Sequence, residues 1–160
     1  MSKKRWTAGI GKPGRIVAAR IERGEDAIQS IIALIKEYGF RSGTVAGIGS
    51  LNSATVIYGK STDLTKPLSE IAVTYQMEGP VDLGGGWGIF GTEEDGNVFL
   101  HFHAIILDKD GNVRCGNLIP GSAPVMATLD ITIQEIVGLE IKPTLDPFLK
   151  AKLLNPMNPS

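Results

Sequence analysis

Residues 98–118 constrain the fold most, because two apolar runs flank a polar turn, Asp-Lys-Asp-Gly, at 108–111. A turn of this composition is typical of a type I turn followed by a left-handed residue, which joins two strands through a three-residue loop. Gly111 adopts the required positive φ at no steric cost. The segment is therefore predicted to form a β-hairpin whose first arm carries both histidines of the chain, His101 and His103.

The turn also sets a register for the two arms of this hairpin. Counting back from the turn, the predicted cross-strand pairs are Ile105 with Cys115, His103 with Asn117, and His101 with Ile119. Side chains alternate between the faces of a strand, so one face should carry a polar set. The members of this set are His101, His103, Cys115 and Asn117, which are predicted to form a ligand pocket. The other face should carry the apolar side chains Phe102, Ala104 and Ile106.

The composition is that of one globular domain. A chain of 160 residues with 42% hydrophobic and 21% charged residues can bury a sizeable core. The formal net charge of −1 gives no bulk attraction to a polyanion or an anionic membrane. One cysteine cannot form an internal disulfide, which favours a cytoplasmic location. No apolar run approaches the roughly 20 residues of a membrane helix, and no apolar signal core follows the basic N-terminus.

Residues 1–14 are predicted to form a flexible basic arm. Its basic residues, Lys3, Lys4, Arg5 and Lys12, are the best candidates for contact with DNA phosphates. The run Lys-Pro-Gly-Arg at 12–15 has the letters of a minor-groove hook in the wrong order. The alternative interpretation is a solvated arm and a turn that leads into a strand.

Hydrophobic periodicity predicts one major helix and several strands. Apolar residues at three-and-four spacing indicate the helix over about 24–38, and Gly39 provides its C-terminal stop. Strands are predicted at 15–21, 44–51, 54–59, 70–78, 87–91 and 125–137, and Gly79-Pro80 is expected to end the fourth of them. The predicted class is therefore α+β, a mainly antiparallel or mixed sheet packed by one major helix.

The folded domain is predicted to span residues 15–138. Residues 139–160 are a proline-rich tail that packs on the domain or leaves it, with a short helix over 146–153 that starts with Pro147. The run Gly84-Gly85-Gly86 either cradles a ligand or, as the favoured alternative, lets backbones approach each other closely.

Several segments in order resemble the plant-and-prokaryote conserved (PPC) domain. They are R-I followed by R-G-E-D within 15–26, G-x-G-S-L-N-S-A at 47–54, L-H-F-H at 100–103, D-x-D-G-x-V at 108–113 and G-N-L-x-x-G at 116–121. The resemblance covers roughly residues 15–137. It implies an α/β-type fold and a stand-alone homotrimer of the prokaryotic type. Because the plant domain is joined to DNA-binding segments, it also implies a DNA-binding or regulatory role.

The same resemblance implies a metal site that this sequence alters. Family members usually have a third histidine where this chain has Asn117, and their fold is similar to that of acetolactate decarboxylase, a zinc enzyme with three histidines. Three imidazoles suit zinc, whereas a carboxamide oxygen is a poor ligand beside imidazole. His101 and His103 are therefore the metal candidates, and zinc is the candidate cofactor.

Three hypotheses about function remain open at this point. The chain is a DNA-linked regulatory module, a metal- or small-molecule-binding protein or enzyme, or an oligomeric scaffold in which Asn117 hydrogen-bonds His103. An enzyme would need an acid or base, for which Glu78 and Glu135 are the candidates. Nothing in the sequence positions these carboxylates, which favours a protein that is not an enzyme.

Overall fold

The computed structural model of the chain describes residues 6–159. Its elements in chain order are β1 (Lys12–Glu22), α1 (Ala27–Glu37), β2 (Ser42–Gly59), α2 (Leu68–Ile71), β3 (Ala72–Thr92), β4 (Val98–Asp108), β5 (Val113–Leu118), β6 (Val125–Val137), β7 (Glu140–Asp146) and β8 (Ala151–Met157). No helix within 6–159 has the length and apolar character needed to cross a membrane.

Strands β1 to β6 form one antiparallel sheet in the order β1-β6-β2-β3-β4-β5. Strand β5 also pairs with β2, through Val56 with Leu118 and Ile57 with Asn117. The sheet therefore closes on itself over β2, β3, β4 and β5, while β6 and β1 extend it on the other side of β2. The predicted α+β class is confirmed, and the pairing is antiparallel between all these neighbours.

Helix α1 begins at a capped N-terminus and contributes its apolar stripe to the core of the sheet. The Oδ1 atom of Asp26 accepts a hydrogen bond from Gln29 N at 3.0 Å, and Oδ2 accepts one from Ala123 N at 2.9 Å. The helix starts three residues later than predicted, because Gly24 takes a φ of +91° and turns the chain first. Its buried residues are Ala27, Ile28, Ile31 and Ile35.

Strands β2 and β3 each run through two of the predicted strands and the gap between them. The predicted strand end at Gly79-Pro80 is therefore wrong. The pairing shifts between Leu51 and Ser53, which leaves Asn52, Gly79 and Pro80 outside the regular ladder. Proline is tolerated at such a bulge, because its missing N–H is not needed for a ladder hydrogen bond.

The short helix predicted over 146–153 is also wrong, because the tail contains the two-stranded hairpin β7–β8. Asp146 Oδ1 accepts hydrogen bonds from Phe148 N at 2.9 Å and from Leu149 N at 2.7 Å, which stabilises the turn between the strands. Pro143 pairs with Leu154, and Pro156 pairs with Ile141. Prolines suit edge strands, and both strands of this small sheet are edges.

The β7–β8 hairpin contacts the main sheet at a few defined points. Ile141 is buried, and its N–H donates to Ser42 Oγ at 2.9 Å. Leu149 O accepts from Leu68 N at 3.1 Å. An ion pair joins Lys152 on β8 to Glu93, just after the end of β3. These contacts position β8 beside the outer face of the sheet.

Candidate ligand pocket

The β4–β5 hairpin has the predicted turn and register. Gly111 takes a φ of +83°, and Asp108 Oδ1 accepts hydrogen bonds from Asp110 N and Asn112 N. His103 pairs with Asn117 and Ile105 pairs with Cys115, so these predicted pairs are confirmed. The three predicted apolar residues of the opposite face, Phe102, Ala104 and Ile106, are buried.

The predicted pair of His101 with Ile119 is wrong, because β5 leaves β4 after Asn117 and joins β2. Ile119 N donates to Thr55 O at 3.0 Å instead. At the point of separation, Asn117 Oδ1 accepts a hydrogen bond from Phe102 N at 3.1 Å. The carboxamide oxygen thus accepts a hydrogen bond from the backbone of β4 at the point where the two strands separate. The scaffold hypothesis had proposed a hydrogen bond to His103 instead.

The two imidazoles lie side by side on the outer face of β4. Their ring centroids are 4.7 Å apart, and the ring planes are inclined by 46°. The pKa of His101 is lowered, first by partial burial of the ring and second by the charge of the neighbouring His103. The neutral form of His101 is therefore favoured more than in a solvated histidine.

A cavity of about 780 Å³ lies over these imidazoles, between the sheet and the tail hairpin. Its floor is the outer face of the closed part of the sheet, where His101, His103 and Asn117 lie beside Ile57 and Ile89. Its roof is β8, and α2 with the start of β3 forms one side. The lining residues are Ile57, Tyr58, Gly59, Leu68, Ala72, Ile89, Phe99, His101, His103, Asn117, Ala151, Lys152, Leu153 and Leu154.

The structure brings together three of the four pocket residues that the sequence predicts. Cys115 is exposed on the same strand face, but it lies two cross-strand pairs nearer the turn and does not line the cavity. Sequence reasoning missed the roof, because the prolines of the tail concealed two strands. Residues along β8 do not alternate regularly between exposed and part-buried positions, so this segment lacks the period-two pattern of a typical strand.

A second, more open concavity of about 580 Å³ lies farther along the same sheet face. Its apolar part includes Trp87 and Ile48, which are 61% and 59% exposed. Trp87 pairs directly with His103 on one side and with Ala46 on the other. The two concavities therefore adjoin along a single row of cross-strand neighbours.

The donor set of the first cavity does not fit a resident zinc ion. Structural and catalytic zinc sites use three or four protein ligands drawn from histidine, cysteine and carboxylates. Within 6–159, no group of three or more such residues converges. The oxygen of Asn117 is already engaged by Phe102 N, so the pocket supplies two imidazoles where the histidine site of the family would supply three.

The basic residues predicted to contact DNA lie partly beyond the described range. Lys3, Lys4 and Arg5 fall outside residues 6–159, and Lys12 is exposed at the start of β1. Farther along β1, Arg15 pairs with Glu135 at 2.9 Å and Arg20 pairs with Asp130 at 3.0 Å. These two guanidinium groups are neutralised within the sheet.

The described architecture defines a class of protein. Its main antiparallel sheet closes over four strands and carries, on its outer face, a cavity whose floor includes polar side chains. The chain belongs to the Plants and Prokaryotes Conserved (PCC) domain family, whose model matches residues 8–137. The PPC resemblance predicted from the sequence is confirmed. None of the curated proteins matches the chain.

Solved structures share this fold at low sequence identity. A PPC protein of Pyrococcus horikoshii is 22% identical, with a TM-score of 0.76 over 91% of this chain and 94% of that chain. A metal-containing protein of Archaeoglobus fulgidus is 20% identical, with a TM-score of 0.76 over 91% and 96%. A candidate DNA-binding protein of Bacteroides thetaiotaomicron is 17% identical, with a TM-score of 0.74 over 92% and 98%. These likenesses establish the fold, and the similarity to acetolactate decarboxylase stays a prediction.

Proposed function

We propose that the chain is a PPC-domain protein that binds a small molecule over the floor formed by His101, His103 and Asn117. The observation that carries this proposal is the meeting of these side chains with the roof strand β8 around one cavity. Small-molecule sites are typically concave and mostly apolar, with a few convergent polar groups. The cavity has each of these properties.

Binding is favoured over catalysis, because the carboxylates considered as acid or base lie outside the cavity. Neither Glu78 nor Glu135 belongs to its lining. Glu135 is hydrogen-bonded to Arg15, and this hydrogen bond is the main cause that holds the pKa of its carboxyl below the usual value. A carboxylate held in its ionised form is a poor general acid. We therefore propose a binding protein rather than an enzyme.

The two histidines provide a direct test of this function. Because the chain has only two, protein labelled with ¹³C-histidine gives two imidazole ε1 signals. Screening a library of small fragments against these signals should yield compounds that shift both of them saturably. Leu154→Trp, which fills the cavity from the roof, should abolish the shifts, whereas Cys115→Ser should preserve them. A screen with no saturable shift would contradict the proposal.

A homotrimer assembled through the adjoining apolar face is the second proposal. Ile48, Trp87 and Ile105 are exposed on this face, and the last is 43% exposed. Exposed apolar patches mark interaction surfaces in many proteins, and the count of three follows from the family resemblance. Light scattering at micromolar concentration should give the mass of a trimer for the unmodified chain. Trp87→Lys should give a monomer and Leu145→Lys, on β7, should not; a monomeric unmodified chain would contradict the proposal.

DNA binding is a third proposal. It is supported by the structural likeness to a candidate DNA-binding protein of Bacteroides thetaiotaomicron and by the basic N-terminal residues. Retardation of duplex DNA should then be strong at low salt and weak at moderate salt. Replacing Lys3, Lys4, Arg5 and Lys12 together by glutamine should remove it. No retardation at low salt would contradict DNA binding. A cytoplasmic location, favoured by the unpaired Cys115, stays a prediction.

A further inference from the structure

The ionisable groups that line the cavity have an unequal balance of charge. They are Tyr58 on β2, His101 and His103 on β4, and Lys152 on β8, and no lining residue is acidic. Around them the lining is mainly apolar, with Leu68, Phe99, Leu153 and Leu154 among its larger members. Because Lys152 is already paired with Glu93, the two imidazoles are the basic groups left to meet a ligand, and no acidic lining residue would repel a negative charge.

We infer that the ligand of this cavity is a small monoanion with an apolar body, a medium-chain carboxylate being the simplest example. This inference rests on the proposed function, because it names the class of molecule that the proposed pocket takes. The anionic head lies on the floor against His101, His103 and Asn117. The apolar body lies between β8 and the side formed by α2.

The floor is suited to an anionic head because each of its three polar side chains can donate a hydrogen bond. Asn117 Oδ1 already accepts from Phe102 N, so the amide NH₂ is the part of this side chain that remains to donate. The imidazoles are neighbours with a centroid separation of 4.7 Å, and each donates through both nitrogens when protonated. A carboxylate accepts several hydrogen bonds at once, which suits a floor that carries one amide and two adjacent imidazoles.

Burial and repulsion by His103 disfavour protonation of His101, and the negative charge of a bound anion would oppose both effects. The lowered pKa of this ring arises first from desolvation and second from His103. A bound carboxylate places an opposite charge beside both rings, which stabilises their protonated forms. Ligand binding is therefore expected to raise the pKa of His101, and the other titratable groups facing the site are His103, Lys152 and Tyr58.

Lys152 is assigned to the roof rather than to the head-binding group. Its ammonium is paired with Glu93, which does not line the cavity, so its charge is already compensated. Glu93 follows the end of β3, near the pair formed by Thr92 and Val98. Along β4, that position lies on the N-terminal side of Phe99. His103 lies four residues from Phe99 on the C-terminal side. The head and the ion pair are therefore at opposite ends of the cavity.

The size and the lining of the cavity suit an alkyl or aromatic body. A volume of about 780 Å³ is within the range of small-molecule sites, which is roughly 300–1,000 Å³. Leu153 and Leu154 on the roof line the cavity together with Ile57 on the floor and Leu68 on the side. Each methylene of a ligand buried among them should therefore raise the affinity, by roughly fourfold at most.

The test uses octanoate, octanol, octylamine and acetate with the unmodified chain labelled with ¹³C-histidine. Octanoate should shift both imidazole signals saturably, bind at least about tenfold more tightly than octanol, and raise the pKa of His101. Acetate should bind at least about a hundredfold more weakly than octanoate, because it lacks the apolar body. Octylamine should bind more weakly than octanol.

Octanol or octylamine binding as tightly as octanoate would overturn the inference while leaving a small-molecule pocket in place. The inference would also be overturned, with the pocket left in place, if none of the library fragments that shift the signals were a carboxylate. If neither these probes nor the fragment library shifted the signals, the proposed function itself would fail. These comparisons use the unmodified chain, so they do not depend on the folding of a variant.

Matched variants then locate the head of the ligand. In His101→Gln and in His103→Gln, octanoate affinity, followed by the remaining histidine signal, should fall at least about tenfold, towards that of octanol. Lys152→Gln should change it by less than about threefold, and Cys115→Ser should leave it unchanged. A loss in Lys152→Gln with no loss in the histidine variants would overturn the assigned orientation.

Discussion

The two hairpins that enclose the cavity differ in how they are held in the fold. The floor hairpin, β4–β5, has one face in the core, where Phe102, Ala104 and Ile106 are almost completely buried. In the roof hairpin, β7–β8, Ile141 is the only residue classed as buried. The floor is thus part of the central core, and the roof is attached to it by a few contacts.

This difference shows how one fold can combine a fixed binding surface, on β4–β5, with a ligand entrance beside β7–β8. Segments with few buried contacts open at a lower free-energy cost than segments of the core. We expect β8 to open more readily than β4, while His101 and His103 keep their positions on the floor.

Removing a core side chain from the floor should have the largest effect. Phe102 is 1% exposed, so Phe102→Ala should lower the free energy of unfolding by about 3–5 kcal/mol. The matched change on the roof, Leu153→Ala, removes a side chain that is 38% exposed and should cost less than about 1 kcal/mol. Urea unfolding measures both values. Equal losses would contradict the contrast between floor and roof.

The same contrast explains which parts of the molecule the sequence could predict. The floor hairpin depends on local rules, since a turn ending in Gly111 sets the register and alternation then assigns His103 and Asn117 to one face. The roof depends on tertiary contacts such as the hydrogen bond from Ile141 N to Ser42 Oγ. No local pattern around Pro143 or Pro156 indicates these contacts.

Closure of the sheet was equally inaccessible to sequence reasoning. The pairing of β5 with β2 joins Asn117 to Ile57, which are far apart in sequence and have no shared turn. For this reason the predicted pair of His101 with Ile119 failed, although the rest of the register was right. The cavity floor could therefore be predicted from residues, but its side and its roof could not.

A methyl group placed between β7 and the main sheet should have the second largest effect. A Cβ on Gly91 would overlap the carbonyl group of Ile141, whereas a Cβ on Gly59 would meet nothing. Gly91→Ala should therefore destabilise the protein by about 1–3 kcal/mol and speed amide exchange in β7. Gly59→Ala should change the stability little. Unchanged exchange in β7 of the first variant would contradict the packing of the roof.

Restoring the third imidazole should create a zinc site on the floor. Asn117 pairs directly with His103, so Asn117→His should raise zinc affinity at least about tenfold, which corresponds to about 1.4 kcal/mol. Cys115→His, on the same strand but opposite Ile105, is the control and should give no gain. Competition with a chelator measures both affinities. An equal gain in the control would show that His101 and His103 do not direct the site.

The pH dependence of stability should give the smallest effect, because solvent reaches the ring of His101. Its folded-state pKa lies below the unfolded value of about 6.5, so the unfolded chain binds a proton more readily. His101 therefore contributes full stability above pH about 6.5 and loses it as the pH falls through the folded pKa. Urea unfolding from pH 5 to 8 should show a smaller acid loss in His101→Gln. An identical loss would contradict burial of the ring.

The most direct test of the central claim measures whether β8 lies over the floor. Cys115 is exposed and is the only cysteine, so a nitroxide spin label can be attached there without any substitution. The amide signals of the four β8 residues that line the cavity, Ala151, Lys152, Leu153 and Leu154, should broaden with the active label and recover when it is reduced. The amide of Ile105, directly opposite Cys115, is the internal positive control. Broadening at Ile105 with sharp signals throughout β8 would contradict the roofed cavity on which the proposed function rests.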